Sequence, residues 1–283
     1  MRLSIDHQTG FRYASKGKSS YNEARMTPAA TENQTVWSSR VSIDPSAWSF
    51  TYTDYWGTTV TTFELHEPHE RLTVHAQGVV ETHGDDLSWD LDRRVAPNDL
   101  GWAALQDRGV IDTMTEFLSV TKRTQAPEEL LALAAEARRQ PPRLAGLDIC
   151  DLIHERIRYE RGSTAVTSTA SQVWELGKGV CQDFSHVALG ALRSIGLPAR
   201  YVSGYLHPGS KQPNQTVTGE SHSWVEWWCG SWVSYDPTLR NRLTDSYVRV
   251  GHGRDYGDVA PLRGTYSGGA SEMFVTVEMT RLG

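Results

Sequence analysis

Three side chains far apart in the chain, Cys181, His222 and Asp236, are the types that thiol-based acyl chemistry needs: a nucleophile, a proton acceptor and a carboxylate to orient it. Cys181 stands in Gly179-Val-Cys-Gln-Asp-Phe-Ser-His-Val-Ala-Leu-Gly-Ala-Leu192. Phe184, Ala188, Ala191, Leu192 and Ile195 recur there at i, i+4, i+7, i+8 and i+11, the apolar stripe of a helix packed on a core. Gly177 and Gly179 break the chain before it and Gly196 and Pro198 follow, so the helix should start near Val180 or Cys181. A cysteine in that first turn meets unpaired N–H groups and the positive end of the helix dipole, which favour thiolate and can hold an oxyanion. A free cysteine is also commonly an inert core residue, so the reading depends on what the rest of the chain supplies.

The rest supplies a hairpin. Ser221-His-Ser-Trp-Val-Glu-Trp-Trp228 and Ser231-Trp-Val-Ser-Tyr-Asp236 read as two strands around Cys229-Gly230. Alternation puts His222, Trp224 and Glu226 on one face and Val225 and Trp227 on the other. A three-residue loop centred on Cys229 would set His222 directly opposite Asp236; a two-residue loop would move the register by one and leave the pair diagonal. A carboxylate beside His222 can take the N–H of one imidazole nitrogen and leave the other free for a thiol proton.

The elements that must carry these residues follow from the chain as a whole. Its 283 residues, 39% of them apolar, can bury a core without disulfides. A net charge of -6 and no long Lys/Arg run argue against a nucleic-acid surface. Three cysteines without a C-x-x-C pair suit neither a disulfide framework nor a zinc site. With no apolar leader and no 18-residue apolar run, a cytoplasmic protein without membrane contact is expected. Ten Trp and eleven Tyr, dense over 201–235, suit either a groove or a sheet core.

Residues 1 to about 95 alternate in short runs, among them Leu3/Ile5, Val41/Ile43, Phe63/Leu65 and Leu72/Val74, which predicts an antiparallel β sandwich. Tyr21-Asn-Glu-Ala-Arg25 and Asp54-Tyr-Trp-Gly57 interrupt that pattern, as loops toward a site, as turns, or as a buried Glu/Arg pair. From about 98 to 160 the period is helical, with Pro141-Pro142 between one helix from Pro127 and another over roughly 144–159 that places Cys150 near the core and His154 in solvent. Residues 161–178 read as a loop feeding the cysteine helix, 199–206 as a strand, and 237–258 as aperiodic surface loop before a last strand over 273–279. Asp183 is expected to cap helix N–H groups, and His186, about 500 degrees around the helix from Cys181, to point away from it.

Gly179-Val-Cys-Gln-Asp-Phe-Ser-His186, Ala199-Arg-Tyr-Val-Ser-Gly204, Ser221-His-Ser-Trp-Val-Glu226 and Tyr235-Asp-Pro-Thr238 together resemble the core of the transglutaminase-like superfamily, a branch of the papain-like cysteine enzymes. Tyr21–Arg25 and Asp54–Gly57 are similar to the amino-terminal β domain of its bacterial members, and Gly253-Arg-Asp-Tyr256 with Pro261-Leu-Arg-Gly264 to their carboxy-terminal segment. The resemblance implies Cys181 as nucleophile, His222 as general base and acid, and Asp236 as orienter. For the oxyanion it nominates the Cys181 backbone N–H alone.

The resulting expectation is an α+β protein: an amino-terminal antiparallel β domain over 1–97 and a papain-like, transglutaminase-like core over 98–283. That core divides into a helical part (98–160), a Cys/His/Asp part (161–240) and a carboxy-terminal segment (241–283). Its expected function is bacterial cysteine-enzyme chemistry on a protein or peptide amide through a thioester on Cys181, with hydrolysis by a protease or amidase favoured. Transfer of the acyl group to an amine, as in a true transglutaminase, and a non-catalytic binding protein that keeps the fold are the alternatives. No cofactor, metal ion or nucleic-acid partner is expected; nothing in the sequence carries the acidic loop of a calcium-switched enzyme.

Overall fold

The computed structural model describes residues 1–84, 96, 98–209 and 212–282, so the expected boundary between 97 and 98 touches a stretch outside the described residues. The architecture is α+β: a curved antiparallel sheet, or half-barrel, is laid against a core of helices and a second sheet.

Strand β1 (Arg2–Ala24) runs through the whole half-barrel. Leu3, Ile5, His7 and Thr9 point inward in the period of two that a half-buried strand requires. Its first half pairs with β5 (His69–Thr82) and β14 (Ser271–Leu282), and its second half with β4 (Thr59–Leu65) and β13 (Leu262–Ser267). Between the halves the register slips, and Ser19 takes a left-handed φ of 49°. Such irregularities bend and twist a strand. One long bent strand therefore replaces the short strands of the expected sandwich. Strands β2 (Gln34–Asp44) on β5, β3 (Ser49–Thr53) on β4, and β9 (Thr216–Thr218) on β14 complete the sheet.

Two of the polar interruptions are structural. Tyr21–Ala24 continues β1, and Arg25 beyond it is buried between Glu23 (2.9 Å) and Asp54 (3.1 Å). Asp54 also accepts the N–H groups of Trp56 and Thr58, which shapes the β3–β4 turn. The carboxy-terminal segment returns to the half-barrel, since β13 and β14 both pair with β1.

Helices α1 (Trp102–Leu105), α2 (Arg108–Leu118), α3 (Glu128–Ala137) and α4 (Pro142–Arg156) lead into the core. Pro142 opens α4, where a proline's missing N–H costs nothing. His154 on α4 is half-buried, with Nδ1 3.1 Å from the Thr238 carbonyl, not solvated as its polar neighbours suggested. A two-stranded parallel ladder joins β6 (Arg158–Tyr159) to β7 (Lys178–Gly179). Within the stretch expected to be loop lies α5 (Ala170–Leu176), started by a capping box in which Thr169 and Gln172 satisfy each other's backbone N–H.

At the centre, α6 (Cys181–Ser194) packs on β8 (Ala199–Leu206) and β10 (Glu220–Trp228) of a sheet ordered β11 (Trp232–Tyr235), β10, β8, β12 (Tyr247–Gly253). Strand β12 corrects the expected surface loop: it is mostly buried on both faces, so the alternation that reveals a strand is missing. Helix α7 (Tyr256–Val259) follows it. Leu3, Ile5, Val277 and Met279 of the half-barrel meet Tyr205, Val248 and Val250 of the core sheet. Cys150 is in the main core, and so is Cys229 of the β10–β11 turn; the Cys229 Sγ lies 3.6 Å from Asp99 Oδ1.

Candidate active site

Helix α6 begins at Cys181 because the chain before it is pinned extended. Val180 has φ −113° and ψ 178°, and its N–H donates to Asp183 Oδ2 at 2.8 Å, while Thr164 donates to the same oxygen at 2.6 Å. The carboxylate can fold back only because Gly179 lacks a side chain: a Cβ there would lie 2.7 Å from Asp183 Cβ. Asp183 thus closes back on the N–H of the N-cap residue and not on the first-turn helix N–H groups it was expected to cap. Its burial raises its pKa against the pull of those two hydrogen bonds. The N–H groups of Cys181 and Gln182, in the first turn, have no helical carbonyl to bond and remain at the helix mouth.

Cys181 is half-buried. His222 is hydrogen-bonded to its sulfur, and Ser223 contributes through both its hydroxyl and its backbone. On the far side of the imidazole, Nε2 lies 2.6 Å from Asp236 Oδ2, which leaves Nδ1 for the sulfur. Asp236 is fully buried and well supplied with donors. Tyr247 donates its phenol proton to Oδ2 at 2.7 Å, and the Thr238 and Leu239 N–H groups donate to Oδ1 at 2.8 and 3.2 Å. The Tyr247 hydroxyl in turn sits 2.9 Å from the side-chain amide of Asn241.

The structure therefore brings Cys181, His222 and Asp236 into one hydrogen-bonded chain, with one correction to the expected register. Val225 faces Tyr235 and Trp227 faces Val233, so the three-residue loop is centred on Gly230 (φ 102°), not on Cys229. Asp236 is then diagonal to His222, not opposite it. The slip is by two positions, which preserves the face of every side chain.

The charges are arranged to match. Burial alone would push the Cys181 thiol up, but the hydrogen bond and charge of His222, with the Ser223 contacts, hold it below its ordinary value. Burial alone would lower His222; hydrogen bonds from the imidazole to Asp236 and Cys181 raise it to about 10. Asp236 is held down, against its own burial, chiefly by His222. These directions describe a thiolate beside an imidazolium that is anchored by a carboxylate.

The cleft above the sulfur encloses about 210 Å³. Tyr201, Gln182 and Tyr256 line its core side, and Thr9 of β1 with Met273 and Val275 of β14 line the other, so the half-barrel forms one wall. His186, also on α6, faces elsewhere: its Nε2 accepts the Tyr256 N–H at 3.2 Å, and burial lowers its pKa to about 3. Sequence reasoning missed Tyr247, Tyr201 and Ser223. Tyr247 stood in the aperiodic stretch and carried no signal, whereas Ser223 could have been found by alternation, since it shares the strand face of Val225 and Trp227 that packs toward α6, where its hydroxyl lies 3.1 Å from that of Ser185.

The chain is similar to two described families: residues 3–81 match the bacterial transglutaminase-like N-terminal region and residues 131–237 the transglutaminase-like superfamily. An uncharacterized protein of Mycobacterium leprae is 43% identical, over 99% of this chain and 99% of its own. A protein-glutamine gamma-glutamyltransferase of Pseudomonas aeruginosa is 27% identical over 49% of this chain and 22% of its own. A crystal structure of a candidate cysteine protease from Cytophaga hutchinsonii superposes with a TM-score of 0.76 at 20% identity, over 100% of this chain and 91% of the other.

Proposed function

This chain belongs to the transglutaminase-like superfamily, and from that premise we propose that it is a cysteine enzyme hydrolysing an amide, of a peptide bond or of a glutamine side chain, through a thioester on Cys181. The observation that carries the proposal is the hydrogen-bonded chain from Asp236 through His222 to a sulfur at the mouth of α6.

In this reading the Cys181 thiolate attacks the amide carbonyl carbon, and the oxyanion that forms is met by the first-turn N–H groups of α6. The imidazolium of His222 gives its proton from Nδ1 to the leaving nitrogen, the C–N bond breaks, and amine or ammonia departs. His222 then takes a proton from water, hydroxide adds to the thioester carbonyl, and collapse breaks the C–S bond to release the acid and return Cys181. Asp236 keeps Nε2 protonated throughout, which fixes the tautomer and supports the positive ring. Tyr201 is deeply buried beside the sulfur, and Ser223 adds to the contacts that favour its thiolate.

Water as acceptor is favoured because no tryptophan lines the cleft among its described residues. Trp224 and Trp227 are buried elsewhere, and Trp228 and Trp232 lie outside that lining, so no wall of indoles would shield a thioester from solvent. Transfer to an amine is the second reading, supported by the name of the Pseudomonas relative. Incubating the protein with a glutaminyl peptide, with and without a labelled primary amine, and following acid and amine-linked product by mass spectrometry separates them. Acid product that disappears with Cys181→Ala is the expected result. Amine-linked product dominating at modest amine concentration would replace hydrolysis by transfer.

A further inference from the structure

A second cavity, of about 450 Å³, opens on the face of the core sheet turned away from α6 and shares no described lining residue with the cysteine cleft. Its floor holds an unequal charge cluster. Glu226 is buried, its Oε2 accepts from Arg200 Nε at 2.6 Å, and its Oε1 accepts from Ser234 at 3.0 Å and from Arg249. Two guanidiniums thus converge on one carboxylate, which leaves one positive charge over among the described lining residues apart from Glu32, an exposed acid at the rim. A guanidinium has five N–H donors, and Glu226 occupies only part of the two sets.

The walls are aromatic. The Arg200 guanidinium lies 3.8 Å over the Trp232 ring, which fixes its plane, and Trp224, Tyr247 and Leu243 supply apolar surface. Trp224 is 1% exposed, lines this cavity, and its indole Nε1 has no hydrogen-bond partner. A buried donor without an acceptor is costly, and the Arg200 and Arg249 side chains, 11% and 20% exposed, hold their unmatched charge in partial shelter from water. An anionic ligand would match that charge.

We propose that this cavity binds a small organic anion, its carboxylate or phosphate head on Arg200 and Arg249 and its flat apolar body against Trp224 and Tyr247. A planar oxyanion suits the fork of a guanidinium, and the volume falls within the range of roughly 300–1,000 Å³ usual for small-molecule sites. The lining selects for an anion with an apolar body over an inorganic one. The site does not depend on the amide chemistry assigned to Cys181.

The test uses the full chain carbamidomethylated at Cys181, so that the cleft is blocked, and titrates benzoate, phenyl phosphate and inorganic phosphate while heat and tryptophan fluorescence are followed. At least one of the two aromatic anions should bind with Kd below about 1 mM, and inorganic phosphate about tenfold more weakly. Which aromatic anion binds tighter identifies the head group. Arg249→Gln should weaken the better one about tenfold, and Glu226→Gln, which frees both arginines, should tighten it by about fivefold. Circular dichroism checks that each variant is folded; if Arg249→Gln is not, Glu226→Gln decides. No binding of either aromatic anion at about 10 mM, equal binding of inorganic phosphate, or unchanged or weaker binding by folded Glu226→Gln would overturn the proposal.

Discussion

Cys181, Cys150 and Cys229 are chemically the same group in three electrostatic settings. Burial pushes Cys150 well above its ordinary value and Cys229 to about 12, with Asp99 adding to the burial at Cys229, whereas His222 and Ser223 pull Cys181 down against its burial. Iodoacetamide should therefore modify Cys181 at least about 100-fold faster than the other two, read by peptide mass spectrometry. Labelling should set in at a lower pH than it does for a free thiol, because His222 and Ser223 favour the thiolate of Cys181. Faster labelling of Cys150 or Cys229 would remove Cys181 as the proposed nucleophile. Asp236→Asn should leave the circular dichroism unchanged and lower turnover by about 10³- to 10⁴-fold, since an amide in place of the carboxylate no longer fixes the tautomer. Tyr247→Phe removes only one of the donors to Asp236 and should cost about tenfold or less, which ranks the carboxylate above its support.

Helix α6 has to be held at both ends for these groups to meet. At its far end Arg193 is buried and donates to the Ala199 carbonyl (2.8 Å), the Arg254 carbonyl (2.6 Å) and the Thr124 hydroxyl (3.2 Å). In its middle, a Cβ on Gly190 would stand 2.3 Å from the Thr124 carbonyl oxygen. That neighbour is backbone and cannot rotate away. Gly190→Ala should cost about 1–3 kcal/mol in chemical denaturation and slow Cys181 alkylation as well, because the only relief is a shift of α6. The helix itself and the β10–β11 hairpin were legible because each shows its own period within a few residues: 3.6 for the stripe from Phe184 to Ile195, and two for His222 to Glu226. Strand β12 and the length of β1 were not. Tyr247–Gly253 is covered on both faces and carries two glycines, and β1 continues through an irregular register that only its partners β4, β5 and β13 make sense of. The triad residues could be nominated from the sequence, but their supports Tyr247 and Asn241 come from that aperiodic stretch and are brought in by tertiary pairing.

Across the whole molecule, His7, His186 and His252 are lowered by burial to about 4, 3 and 4. Each is neutral in the folded protein, whereas the unfolded chain protonates near pH 6.5. Below that pH the unfolded state binds more protons at these rings, so their contribution to stability is full above about 6.5 and falls as the pH drops toward the folded values, whereas the contribution of His222, raised to about 10, is full below about 6.5 and is lost as the pH rises toward 10. The slope should approach ~1.4 kcal/mol per pH unit for each histidine, measurable as urea midpoints between pH 7 and 4.5; His7→Gln should flatten it if the hydrogen bond to Tyr205 (2.9 Å) is kept. A flat profile over that range would show that these rings are not buried neutral.

The wall of the cysteine cleft comes from β1 at one end of the sequence and β14 at the other, and β14 can pair only once β1 is already in place. During synthesis from the amino terminus, Cys181, His222 and Asp236 are all made before Met273 and Val275. A nascent chain therefore holds these three side chains before Met273 and Val275 can close over their cleft. The order of synthesis thus separates the three groups from the strand that walls their cleft: a chain cut before Ser271 would carry Cys181, His222 and Asp236 beside an open side.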